Sequence, residues 1–175
     1  MKSNDTGGAL PGVAKALLRL VIATTAEAAI VIGHFVYSAR IYDDPYRAHP
    51  VTPVLVALAL VVALTIVFWR KGWSAALWLL TATVALPFIV MFGGYHGGFS
   101  HVIKLLMYAA GTSPERLQEI YDSPDFAVPN DFAFEASGVL CFVAAAVVAW
   151  TLVRLLRVAS HGRRSTAPTP AVEHA

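Results

Sequence analysis

The chain has 175 residues, of which 57% are hydrophobic and only 14% charged, with a formal charge of +2. A water-facing surface draws on roughly 25% charged residues, so the composition excludes an ordinary soluble domain. The charge is nearly balanced and its basic residues sit at the ends of apolar runs, without interleaved aromatics, which excludes a nucleic-acid interface. The single cysteine, Cys141, rules out an internal disulfide, a thiol pair and a cysteine-based zinc site, and its place within an apolar run assigns it to packing.

Residues 1–16 read as a short cytoplasmic segment, and the first apolar run extends from Leu17 to Ser38. Its length suits a bilayer crossing of about 30 Å at about 1.5 Å per residue. Ala26 and Ala28 bracket Glu27 in a pattern like a signal-peptide cleavage site, but the apolar run continues through Val36, which predicts a retained helix. Glu27 falls near the middle of this span, where an acidic side chain costs on the order of 3 kcal/mol to insert. His34 follows seven positions later, on the same face and about 10 Å further out. Thr24 and Ser38 extend the stripe, which is predicted to face the bundle interior. Two readings of Glu27 stand at this point. It is a proton or cation site with His34 as relay or ligand, or a protonated carboxyl hydrogen-bonded to a neighbouring helix for packing alone.

Asp43-Asp44-Pro45-Tyr46-Arg47 reads as a solvated turn with local ion pairs, and His49 follows it. The second span runs from Thr52 to Trp69 and the third from Trp73 to Phe92. Only Arg70, Lys71 and Gly72 join them, which predicts an antiparallel pair. Pro87 is expected to kink the third span. Beyond it, Gly93-Gly94 and Gly97-Gly98 flank Tyr95-His96 and predict a break in the helix. That break matters for chemistry, because His96 and His101 would diverge by about 140° on a continuous α-helix.

The segment from 93 to 131 is too long to be a bare loop. From Ser100 to Ala110 the spacing of Val102, Ile103, Leu106, Ala109 and Ala110 predicts an amphipathic helix lying in the outer interface, with His101, Lys104 and Tyr108 on its other face and Gly111 as its stop. Ser113-Pro114-Glu115 opens a short helix reaching about Asp122. Pro124 and Pro129 then hold the chain extended until Asn130 or Asp131 caps the fourth span, which starts at Phe132 or Phe134 and ends at Leu156. Residues 159–175, rich in Pro, Ala, Thr and Arg, read as a disordered cytoplasmic tail carrying His161 and His174.

The predicted fold is therefore an all-α membrane protein, a four-helix transmembrane bundle over 17–158 with a partly helical outer loop between its third and fourth helices. Lys2, Lys15, Arg19, Arg70, Lys71, Arg154, Arg157, Arg163 and Arg164 flank one set of helix ends, against Arg40, Arg47, Lys104 and Arg116 on the other. By the positive-inside rule both termini are cytoplasmic, as in a bacterial inner-membrane protein. Trp69, Trp73 and Trp150 would lie toward the inner interface, and Tyr37, Tyr42, Tyr46 and Tyr95 toward the outer one.

Four of the six histidines, His34, His49, His96 and His101, fall at the outer end, with Glu135 at a similar depth. His34, His96, His101 and Glu135 form a candidate metal set of a kind that suits zinc, copper, nickel or iron. Haem would need opposed axial histidines, and only His34 with His96 or His101 offers them, so the residues favour a single ion over haem. The blander account gives each histidine a separate hydrogen bond at the polar interface. Function is accordingly expected at an outer mouth lined by Glu27, His34, His96, His101 and Glu135, which would bind a metal ion or a small polar ligand. An accessory subunit of a larger membrane complex is the alternative, and proton-coupled transport through Glu27, which would require a homodimer, is the third. The lipid bilayer is the partner common to all three.

Overall fold

A computed structural model describes residues 11–121 and 127–165, and every regular element in them is helical. They are α1 (Pro11–Ile41), a 3₁₀ turn (Pro45–Ala48), α2 (Val51–Lys71), α3 (Ser74–Ala109), α4 (Pro114–Tyr121) and α5 (Phe132–Ser165). Four of them, α1, α2 with its preceding turn, α3 and α5, are long and apolar enough to cross a membrane. They close into a ring in which α1 packs on α2 and α5, and α3 packs on α2 through its first part and on α5 through its second.

The packing is that of a lipid-facing bundle. Leu20, Val31, Val54, Val61, Leu80, Phe88, Val148 and Leu155 fill the interior, while Leu55, Val56, Trp78, Leu79, Val143 and Val147 point outward. Apolar side chains on both faces are expected where the surroundings are themselves apolar. The α2–α3 connection is as short as expected, with Gly72 turning the chain at φ 65°. At the first outer turn Asp44 accepts from the Tyr46 N–H at 3.1 Å and pairs with Arg47 at 3.4 Å.

The spans are longer than predicted. The helix of α1 already includes residues 11–16, and α5 continues through 159–165, so His161 sits exposed on a helix with its Nδ1 2.7 Å from the Arg157 carbonyl. The expectations for Pro124, His174 and the rest of the tail lie outside the described residues.

The main correction concerns the glycine-rich segment. No break occurs at Gly93–Gly98; α3 runs on without interruption to Ala109, and its middle, Ala85–Ile103, is a π-helix. Pro87 stands at the start of that stretch. Lacking an N–H and crowding the carbonyl four residues back, proline resists a tight α-turn, and the wider i→i+5 turn relieves the conflict. The glycines serve close approach. A Cβ at Gly97 would stand 2.6 Å from the Phe142 backbone nitrogen of α5 and 3.0 Å from the Gly138 carbonyl. Gly97→Ala is therefore expected to destabilise the bundle by about 1–3 kcal/mol in detergent unfolding experiments. A loss below about 0.5 kcal/mol would mean that α3 and α5 are not held at this distance.

The predicted interfacial helix is corrected with it. His101 and Lys104 are buried, whereas Ile103 and Leu106 are exposed. Apolar side chains thus point out and polar ones in, the inverse of a helix lying on a surface, and α3 ends where Gly111 takes φ 84°.

α4 is held across the outer end. Leu117, Tyr121 and Ala127 form a small second core with Phe99, Met107 and Ile120. The Tyr121 hydroxyl donates to the Phe99 carbonyl at 3.0 Å, between the two histidines of α3. Burial, and then the charge of Glu135, holds this phenol above its ordinary range, so it remains a donor. At the start of α4 the Glu115 carboxyl is held below its ordinary range by its own backbone N–H and the Ser113 hydroxyl. Ser113 also accepts from the Arg116 N–H at 3.4 Å, as expected of an N-cap.

Candidate metal centre

The polar stripe of α1 is wholly interior: Thr24, Glu27, His34 and Ser38 are all buried. Thr24 donates its hydroxyl proton to the Leu20 carbonyl at 2.9 Å, which leaves it no proton to donate to Glu27. Both carboxyl oxygens of Glu27 are buried without a hydrogen-bond partner.

Toward the end of the bundle away from Pro11 and Ser165 three imidazoles meet. His34 comes from α1, and His96 and His101 from the π-helical part of α3. Their ring centroids lie 4.8 Å (His34–His96), 4.9 Å (His34–His101) and 5.1 Å (His96–His101) apart, each pair edge to face. One ring nitrogen from each falls within 4.8 Å of the others. The π-helix makes this possible. Bonding from i to i+5 stacks residues five apart one above the other, so His96 and His101 converge on a helix with no break.

Hydrogen bonding determines which nitrogens remain available. His34 Nδ1 lies 2.8 Å from Ser137 Oγ, and that hydroxyl already donates to the Phe134 carbonyl at 2.9 Å. Nδ1 must therefore carry the proton, and Nε2 presents a bare lone pair. His101 Nδ1 lies 2.8 Å from Glu135 Oε2, an acceptor, so its Nε2 is bare as well. The Nε2 atoms of His34, His96 and His101 are all buried and without partners. Bare Nε2 lone pairs on rings this close suit a cation or a proton donor between them.

Glu135, the fourth predicted ligand, is engaged by two neighbours on α3. Its Oε2 accepts from His101 and its Oε1 from the Lys104 ammonium, so it orients a ligand and compensates a buried cation. Glu27, seven residues inward of His34, does not line the cavity at the triad. His49 remains exposed at the rim, stacked on Tyr46 with its Nδ1 2.8 Å from the Tyr46 carbonyl.

Comparison with protein families, characterised proteins and solved structures returns no match.

Four residues outside the predicted ligand set build the surroundings. Phe134 stacks on His34 at 4.7 Å and meets His101 edge-on at 4.9 Å. Ser137 sets the His34 tautomer. Lys104, expected on an exposed face, is fully buried against Glu135. At Gly138 any Cβ would overlap the His101 ring, so only glycine leaves room for that imidazole. A spacing cue for Gly138 did exist, since it lies three residues from Glu135 and so on the same face of α5, whereas Ser137, two residues on, carried none.

A cavity of about 210 Å³ opens from the triad toward the outer rim, lined in part by Ser38, Arg47, His49 and Ser100. Above it Tyr37 donates to the Asp131 carboxylate at 3.2 Å and Tyr42 to Asn130 at 3.0 Å, fastening the end of α1 to the start of α5. Asp131 itself accepts from the Phe134 N–H at 2.7 Å, and is thus the cap of α5.

Proposed function

We propose that this chain is a small polytopic membrane protein that holds one transition-metal ion on His34, His96 and His101, at the outer mouth of its bundle. The observation that carries this reading is the convergence of three imidazoles, one ring nitrogen of each within 4.8 Å of the others, whose Nε2 atoms are all buried and unpartnered. The hydrogen bonds from Nδ1 to Ser137 and Glu135 match the way metal-binding imidazoles are oriented by an outer shell of acceptors.

A three-nitrogen set with no thiolate suits zinc, copper, nickel or iron. Tetrahedral bonds of about 2.0–2.1 Å require donors roughly 3.4 Å apart, so the rings would draw together slightly on binding. The spacing of the three rings accommodates an ion and is too small for a porphyrin between opposed imidazoles. A fourth coordination position would face the 210 Å³ cavity, where a water or a small polar ligand fits. The basic ends of the spans support cytoplasmic termini in a bacterial inner membrane, with the metal site on the outer side.

The test is elemental analysis of detergent-purified protein. About one ion per chain is expected, with a chelator removing it and lowering the melting temperature. Protein that carries no stoichiometric ion, and that melts identically with and without chelator and added metal, would overturn the proposal in favour of an accessory subunit of a membrane complex.

One observation favours a second role alongside the first. Glu27 is a fully buried carboxyl with no partner, in mid-span below the triad, and such residues mark proton or cation sites. If it is one, Glu27→Gln abolishes proton uptake into proteoliposomes while leaving metal content at wild-type level. Equal uptake by the two proteins would reduce Glu27 to a packing residue.

A further inference from the structure

The opposite end of the bundle carries a second polar construction, unrelated to the histidines. Between the start of α1 and the last turns of α5 lies a groove of about 470 Å³, walled by Lys15 and Arg19 from one helix and by Arg154 and Arg157 from the other. Its floor is apolar, formed by Ala16 and Val158, with Trp150 at its edge. The Arg154 guanidinium lies 5.0 Å from the centroid of the Trp150 ring.

The bundle itself does nothing to balance this charge. Lys15 and Arg19 are four apart and Arg154 and Arg157 three apart, so each pair shares a helix face with a like charge, a destabilising arrangement. The two pairs then face each other across the groove. Neither helix carries a carboxylate nearby: there is none in 11–26 or in 136–165. Among the described residues, none of the four cations has an ion pair, and Arg154 is engaged only with the Trp150 ring. All four are exposed, yet they line one groove between two helices.

We propose that this groove is a binding site for an anionic phospholipid, whose phosphate is held by Lys15, Arg19, Arg154 and Arg157 while its glycerol and upper acyl carbons lie along Ala16 and Val158. Charge complementarity selects a headgroup with net negative charge. The apolar floor and the tryptophan at the edge select a lipid over a soluble phosphate, because a free anion would leave that surface unused. Basic pockets between helices at the cytoplasmic end of a bundle are the established form of such sites. The bound lipid would bridge α1 and α5, the same two helices that present His34, Glu135 and Ser137 at the other end.

The test is native mass spectrometry of the full chain released from vesicles containing equal amounts of phosphatidylglycerol and phosphatidylcholine. Wild-type protein is expected to retain phosphatidylglycerol in preference to phosphatidylcholine by about tenfold, and the Lys15→Gln/Arg19→Gln/Arg154→Gln/Arg157→Gln variant to show no preference. If four changes unfold the chain, the paired variants Lys15→Gln/Arg19→Gln and Arg154→Gln/Arg157→Gln are expected to show intermediate preference. Inorganic phosphate added to the wild type should neither displace the retained lipid nor raise the melting temperature. Equal retention of the two lipids by the wild type, unchanged preference in the variants, or displacement by inorganic phosphate would each overturn the proposal. Metal content plays no part in these readouts, so the result is independent of the histidine site.

Discussion

His96→Ala is expected to lower metal affinity by more than the roughly 10–100-fold that follows loss of a residue orienting a ligand, and to do so while breaking no hydrogen bond between helices of the metal-free protein. Among the three histidines this one isolates binding. His34 and His101 each anchor a neighbouring helix through Nδ1, so replacing either also breaks a hydrogen bond to α5. His96 contributes ring packing against Phe35, His34 and His101, and a buried Nε2 with no partner. Ser137→Ala provides the calibration, since it keeps all three ligands but releases the His34 tautomer, and should weaken binding by about 10–100-fold. Competition titration against a chelator of known affinity measures both. If the two substitutions have equal effects, or if His96→Ala leaves affinity unchanged, His96 is not a ligand.

Glu135→Ala is expected to produce the largest loss of stability, about 3–5 kcal/mol, because one buried carboxylate serves both an ammonium and the His101 ring. Lys104 and Glu135 are both deep in the bundle, and the same carboxylate also holds His101. Removing both charges is a different matter. A buried pair exchanged for apolar groups of similar volume is often neutral or stabilising, so Lys104→Met/Glu135→Leu should recover most of the loss. Its metal affinity should stay low nonetheless, since His101 would have lost its orienting acceptor. Chemical unfolding in detergent, with a metal titration on the same samples, separates the two effects. A Glu135→Ala protein within about 1 kcal/mol of wild type would mean that the pair is not buried as described.

Much of this arrangement could be read from residue types and their periodicity. The interior stripe of Thr24, Glu27, His34 and Ser38 follows from 3.6-residue spacing on an otherwise apolar helix, and the structure buries all four. The caps Ser113 and Asp131 and the stop Gly111 were legible because each answers a local backbone need. His34, His96 and His101 could be grouped by depth alone.

What could not be read is the geometry that joins them. Any count at 3.6 residues per turn sends His96 and His101 to different faces, and the glycines around them look like breakers when the helix is considered by itself. Their reason lies on another helix, in the backbone of α5 at Gly138 and Phe142 and the side chain of Ala145. Lys104 was misplaced for a related reason. An amphipathic pattern does not say which face meets lipid, and here the polar face is the inner one because it meets Glu135. The role of Glu135 was not legible, since a carboxylate among histidines can bind an ion or brace a ligand, and the side chains it meets, His101 and Lys104, lie on another helix.

X-ray absorption at the edge of whichever metal copurifies with the full chain bears most directly on the central claim. Three imidazole ligands at about 2.0–2.1 Å are expected, falling to two in His96→Ala, with no sulfur scatterer from the buried Cys141. A sulfur shell, or an oxygen-only shell of the kind a carboxylate site would give, would contradict the assignment of the metal to His34, His96 and His101.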